Sequence, residues 1–64
     1  MTKLNPQLIE TAQQVLTKKD RLAIFERCSF EKVSSVYAAL QGKRKVSNTD
    51  YDVIQDVIRK AANK

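Results

Sequence analysis

Histidine and tryptophan are absent from this 64-residue sequence, which has a single cysteine, a single glycine and a single proline. A structural zinc site takes four Cys or His ligands, so the chain alone does not supply one. The lone Cys28 excludes an intrachain disulfide and fits a reducing compartment. Ser-His-Asp and Cys-His catalysis need a histidine, and a phosphate-binding loop needs several glycines. We therefore expect a protein that is not an enzyme and uses no metal or other cofactor.

Long apolar runs are also missing. No stretch reaches the roughly 18 residues of a membrane span, and no signal peptide is visible, so we expect a cytoplasmic protein without membrane contacts. A chain of about 60 residues buries only around 60% of the surface that its unfolded form exposes. There is room for one small core, and we expect a single domain over residues 1–64.

Positive charge is in excess. Twelve Lys and Arg residues stand against seven Asp and Glu, which gives a net charge of +5 and an isoelectric point near 9.7. The densest cluster is the run Lys43-Arg44-Lys45. A surplus of this size on a short chain attracts polyanions, and nucleic acid is the first class of partner to consider.

Apolar residues recur along the chain at spacings of three and four, the pattern of amphipathic helices. We predict an all-α bundle of four or five short helices, the four main ones over about residues 6–17, 18–28, 30–41 and 48–62. Gly42 stands where a left-handed residue ends the third helix. The predicted N-caps are Asn5 before Pro6, Thr17 with Asp20 in a capping box, Ser29, and Ser47 or Asn48.

The third predicted helix has an unusual outward face. At 100° per residue its inner face is centred on Val33, Val36, Tyr37 and Leu40. The opposite face carries short side chains and few charges: Glu31, Lys32, Ser34, Ser35 and Ala38. The major groove of DNA admits one helix, and a face of short side chains lets the helix backbone come close to the base edges. The cations of the Lys-Arg-Lys loop that follows would reach the flanking phosphates.

Two other uses of this surface remain open. The Ser34, Ser35 and Ala38 face could instead bind a protein, which would make the chain a helical interaction module. RNA binding is the second alternative. It is disfavoured because the aromatic residues fall mostly on core faces and leave no platform on which single-stranded bases could stack.

The stretch from Val36 to Arg44, Val-Tyr-Ala-Ala-Leu-Gln-Gly-Lys-Arg, resembles the end of the recognition helix in lambda-repressor-like helix-turn-helix domains. The segment Val46-Ser47-x-Thr49, followed by Val53, Val57 and Ile58, is similar to the lac-repressor-type headpiece. The resemblance covers about residues 18–62. It implies a helix-turn-helix made by the second and third helices, sequence-specific binding to double-stranded DNA, and a role in transcription regulation.

The resemblance also implies roles for individual residues. Base edges would face Lys32, Ser34, Ser35 and Ala38, with Glu31 close by and able to accept from a cytosine amino group. Phosphates would be held by Ser29, Tyr37, Lys43, Arg44, Lys45 and Ser47. The sequence departs from the family where a small residue is usual in the second helix, since Glu26 or the bulky Phe25 stands there. We therefore expect either a non-standard turn or a second helix that packs in another register.

Domains of this kind usually act as dimers on two half-sites about one helical turn apart. The last helix has Val53 and Val57 beside its main apolar stripe. We therefore expect that a homodimer would form through this helix.

Overall fold

The computed structural model describes residues 1–63 and confirms an all-helical architecture with four helices in that range. They are α1 (Pro6–Val15), α2 (Lys18–Arg27), α3 (Val33–Leu40) and α4 (Asn48–Ala62). Helix α1 contacts α4 and α3, and α2 contacts α3 and α4. The bounds of α4 match the prediction, while α1 and α2 end slightly earlier than predicted. None of the helices within residues 1–63 combines the length and apolar character that a membrane crossing requires.

Three of the four helices begin at the predicted N-caps. The Asn5 side chain accepts a hydrogen bond from the Leu8 amide at 2.8 Å. Thr17 and Asp20 form both halves of a capping box, with the Asp20 amide donating to Thr17 Oγ1 at 3.2 Å and the Thr17 amide donating to Asp20 Oδ2 at 3.0 Å. The Ser47 hydroxyl accepts from the Asp50 amide at 3.2 Å. These bonds satisfy amides that have no partner inside their helices.

Helix α3 starts later than predicted. The third helix was expected from residue 30 with Ser29 as its cap, but α3 begins at Val33, its N-cap is Lys32, and no side chain caps it. Residues 28–32 instead form an extended connection from α2 to α3, with extended backbone at both Cys28 and Lys32. The half-buried Phe30 packs against the core from within this connection. Packing of Phe30 therefore outweighs the local preference of Ser29 for a helix start.

One hydrophobic core joins all four helices. Its buried members come from every helix and also from three segments outside the helices; they are Leu4, Ala12, Leu16, Ile24, Val36, Ala39, Leu40, Val46, Ile54, Val57 and Ile58. No polar or charged residue within residues 1–63 is buried. Leu4 and Val46 were not predicted, because neither lies in a helical pattern.

The buried face of α3 is rotated relative to the prediction. Val36, Ala39 and Leu40 are buried, while Tyr37, expected on the inner face, is 38% exposed. The small methyl side chain of Ala39 lets α3 lie close to the core, and the Tyr37 ring lies outside the core beside Arg21. The consequence is that the outward face is also rotated, toward Tyr37 and Gln41.

Candidate nucleic-acid interface

The outward face of α3 is open to solvent at its centre. Ser34 and Gln41 are exposed there, Ala38 between them is half-buried, and the exposed Tyr37 lies at one edge of the face. Gln41 was missed at the sequence level, although it follows Ser34 by seven residues and Ala38 by three, which places all three on one side of a helix. Two predicted base-facing residues, Glu31 and Lys32, are exposed but precede the helix. They lie at its entrance, outside the face itself.

Ser35 lies at one edge of this face and is already hydrogen-bonded. Its hydroxyl accepts from Arg44 Nη1 at 2.9 Å. The Arg44 guanidinium also lies over the Phe30 ring, 5.8 Å from the ring centroid. Arg44 is therefore folded back along α3 and places a cation at the edge of the outward face, and Ser35 serves as its acceptor. Ser35 is one of the predicted base-facing residues, and its hydroxyl is occupied by Arg44 in this structure.

The opposite edge carries a second guanidinium. Ser35 and Tyr37 are two residues apart, about 200° around the helix axis, and Arg21 of α2 lies over the Tyr37 ring at 5.4 Å from its centroid. Arg21 Nη1 also donates to the Leu16 carbonyl at 3.1 Å, and the buried Nε has no hydrogen-bond partner. Arg21 is a functional candidate that sequence reasoning missed, because its approach to Tyr37 depends on how α2 packs against α3.

The end of α3 fixes where the Lys43–Lys45 loop begins. Gly42 has a φ of +76°, as predicted. The Lys43 amide donates to the Ala38 carbonyl at 3.0 Å and the Gly42 amide to the Ala39 carbonyl at 3.1 Å. These two bonds form a Schellman motif, which turns the chain sharply off the helix. The exposed Lys43, Arg44 and Lys45, called the cationic loop below, follow directly.

A shallow groove of about 290 Å³ runs beside the cationic loop. It brings together four of the residues predicted to hold phosphates, namely Ser29, Arg44, Lys45 and Ser47. Lys43 and Tyr37 do not line it. Asp50 also lines the groove and lowers its positive charge, and the Ser47 hydroxyl is already engaged as the cap of α4. Arg44 and Lys45 thus supply its positive charge.

We compared the chain with family models, with curated proteins and with solved structures. None of the three comparisons gives a match.

Cys28 has the properties of a structural thiol. Burial, together with the smaller effect of the nearby Asp50 carboxylate, raises the pKa of Cys28 from 9.0 to about 11. Its Sγ lies 4.0 Å from the Asp50 carbonyl oxygen. A thiol with this pKa is protonated at neutral pH and is a poor nucleophile. Within residues 1–63 no group of His, Cys, Asp or Glu side chains could hold a metal ion.

The predicted dimer surface on α4, formed by Val53 and Val57, is smaller than expected because Val57 is not exposed. Val57 is 8% exposed and belongs to the core of its own chain, so its assignment to a partner surface was wrong. Val53 is half-buried. The main apolar stripe of α4 is wider than predicted, because α4 packs against both α1 and α2.

Proposed function

We propose that this chain binds double-stranded DNA, with α3 in the major groove and the cationic loop on the phosphate backbone, as a module of a transcriptional regulator. The observation that carries the proposal is the arrangement around α3. A solvent-open face of small and polar side chains has a guanidinium at each edge, Arg44 at Ser35 and Arg21 at Tyr37.

The dimensions of α3 support this use. A helix with its side chains is about 10–12 Å in diameter, which fits the major groove width of about 12 Å, and the eight residues of α3 would extend about 12 Å along it at 1.5 Å per residue. Short side chains at Ser34 and Ala38 allow the helix backbone to approach base edges. The groove is bordered by a phosphate strand on each side, so cations at both edges of the helix match its charge. The connection between α2 and α3, residues 28–32, is longer than the turn of about three or four residues usual in helix-turn-helix motifs.

We expect two residues to contact base edges. Ser34 offers a hydroxyl near the start of α3, and Gln41 offers an amide at its end. A glutamine amide pairs with the N6 and N7 edge of adenine, and each good bidentate pair discriminates against the wrong base by about 1–3 kcal/mol. One small module buries only about 600–1,000 Å² on DNA. A second copy on a neighbouring half-site would give useful affinity.

The test is a salt titration of binding, measured by fluorescence anisotropy with labelled duplex and single-stranded DNA. The variant Lys43→Gln/Lys45→Gln removes two exposed cations of the loop. Each phosphate contact contributes about 0.9 to the salt slope. We expect the slope to fall by about 1.8, with a loss of affinity on the order of 50-fold near 0.1 M salt.

The matched control is Arg59→Gln/Lys60→Gln, which lowers the net charge equally. Both residues are exposed in the last turn of α4, which does not contact α3, and we expect only a small change. Equal effects of the two double variants would indicate non-specific attraction and contradict the proposal. Absence of duplex binding at low salt would refute it and favour the use of the α3 face for protein recognition.

A further inference from the structure

The N-terminal segment pairs with the end of the cationic loop. The Thr2 amide donates to the Val46 carbonyl, and the Val46 amide donates to the Thr2 carbonyl, both at 2.9 Å. The pairing is antiparallel, and because both bonds join the same two residues it is a hydrogen-bonded pair. The segment before α1 is therefore attached to the residue that follows Lys45.

This pairing is anchored on both sides. Leu4 is 3% exposed and Val46 is 2% exposed, and both belong to the core. Between the bridge and Leu4 lies Lys3, which is exposed. Side chains of an extended segment alternate between its two sides, so the buried Leu4 leaves Lys3 on the solvent side.

The register brings Lys3 to the cationic loop. With Thr2 opposite Val46 in an antiparallel pair, the next position places Lys3 opposite Lys45. Residues that face each other across such a pair share one side of it, and like charges in this arrangement repel. Neither lysine forms an ion pair within residues 1–63. The register thus places two exposed cations opposite each other, and neither is neutralised by an ion pair in that part of the chain.

We propose that Lys3 is a further phosphate-contacting residue, and that the Thr2–Val46 pair is the positioning element that holds Lys3 and Lys45 on one continuous surface. This inference rests on the proposed function. A phosphate strand lying along the cationic loop would relieve the repulsion between the two lysines. Lys3 lies 40 residues before the loop in sequence, so helical periodicity could not connect it with this surface.

The test compares Lys3→Gln with Arg59→Gln, each of which removes one exposed cation. The readout is the salt slope of binding to duplexes of unrelated sequence. We expect Lys3→Gln to lower the slope by about 0.9 and to weaken binding about eightfold near 0.1 M salt, equally for every sequence. Arg59→Gln should leave the slope close to that of the unmodified chain.

The outcomes separate the two proposals. A steep slope for the unmodified chain, unchanged by Lys3→Gln, would overturn the role of Lys3 and leave the proposed function standing. No duplex binding by the unmodified chain would overturn both. A loss of affinity confined to one DNA sequence would also contradict a phosphate contact, because phosphates carry no base identity.

A second variant tests the positioning role without changing any charge. Thr2→Pro removes the amide that donates to Val46, since proline has no N–H. We expect faster hydrogen exchange at the Val46 amide, an unchanged helical circular dichroism spectrum and weaker duplex binding. Faster exchange at Val46 with unaltered affinity would show that the pair does not position the lysines.

Discussion

Replacing Gly42 with alanine should destabilise the fold in two separable ways. Gly42 has a φ of +76°, and a left-handed conformation costs a residue with a Cβ about 1–2 kcal/mol. A Cβ at this position would also lie 2.5 Å from Ile9 Cδ1. The Ile9 side chain would have to leave its rotamer well, at about 0.5–1.5 kcal/mol.

An opposing effect reduces this sum. Alanine lowers the conformational entropy of the unfolded chain relative to glycine, and this raises the free energy of unfolding by about 0.4–1 kcal/mol. The net loss in the free energy of unfolding is therefore about 2 kcal/mol. For a domain of this size that corresponds to a fall in Tm of roughly 8–16 °C. Thermal unfolding followed by circular dichroism at 222 nm measures it directly.

A double-mutant cycle separates the steric part from the backbone part. Ile9→Val removes the Cδ1 atom and leaves the next nearest contact at 3.6 Å, an ordinary van der Waals distance. Gly42→Ala should therefore cost about 0.5–1.5 kcal/mol less in the Ile9→Val background. Gly42→Asn should be milder than Gly42→Ala, because asparagine tolerates the left-handed region. An alanine variant as stable as the unmodified chain would refute the reasoning.

Four further predictions concern three single residues. Thr17→Ala removes the capping box with Asp20 and should lower the free energy of unfolding by about 1 kcal/mol in urea denaturation; no loss would show that the box contributes nothing. Because its pKa is about 11, the thiol of folded Cys28 should react with a disulfide reagent at pH 8 about 100-fold more slowly than in the unfolded chain. The raised pKa also means that stability falls as pH rises from 9 to about 11, and Cys28→Ser should abolish that part of the fall. Ile24 is fully buried, so Ile24→Ala should cost about 2–5 kcal/mol, and a loss under about 1 kcal/mol in the same urea assay would contradict its place in the core.

Local chemistry made the starts of α1, α2 and α4 predictable. Asn5, Thr17 and Ser47 each cap a helix through bonds to amides only three residues away. Such short-range pairs leave a signature in sequence, as does the glycine that ends α3. The cationic loop was equally visible, because its three charges are contiguous.

Contacts between distant residues left no such signature. The pairing of Thr2 with Val46 joins backbone atoms, and almost any side chains are compatible with it. The late start of α3 depends on where Phe30 packs. The engagement of Ser35 by Arg44 depends on how the chain turns after Gly42. Each of these follows from tertiary packing, so periodicity could place Ser35 on α3 but could not show that its hydroxyl was occupied.

The uncapped start of α3 has a consequence for experiments. Helices shorter than about 12–15 residues are marginal on their own in water, and α3 has eight residues with no side-chain cap. Its outward surface therefore exists only while the whole chain is folded. Any molecule that occupies that surface must raise the melting temperature, by an amount equivalent to about 2.7 kcal/mol at 100 times its Kd. A thermal-shift screen can thus search for the occupant without assuming its chemical class.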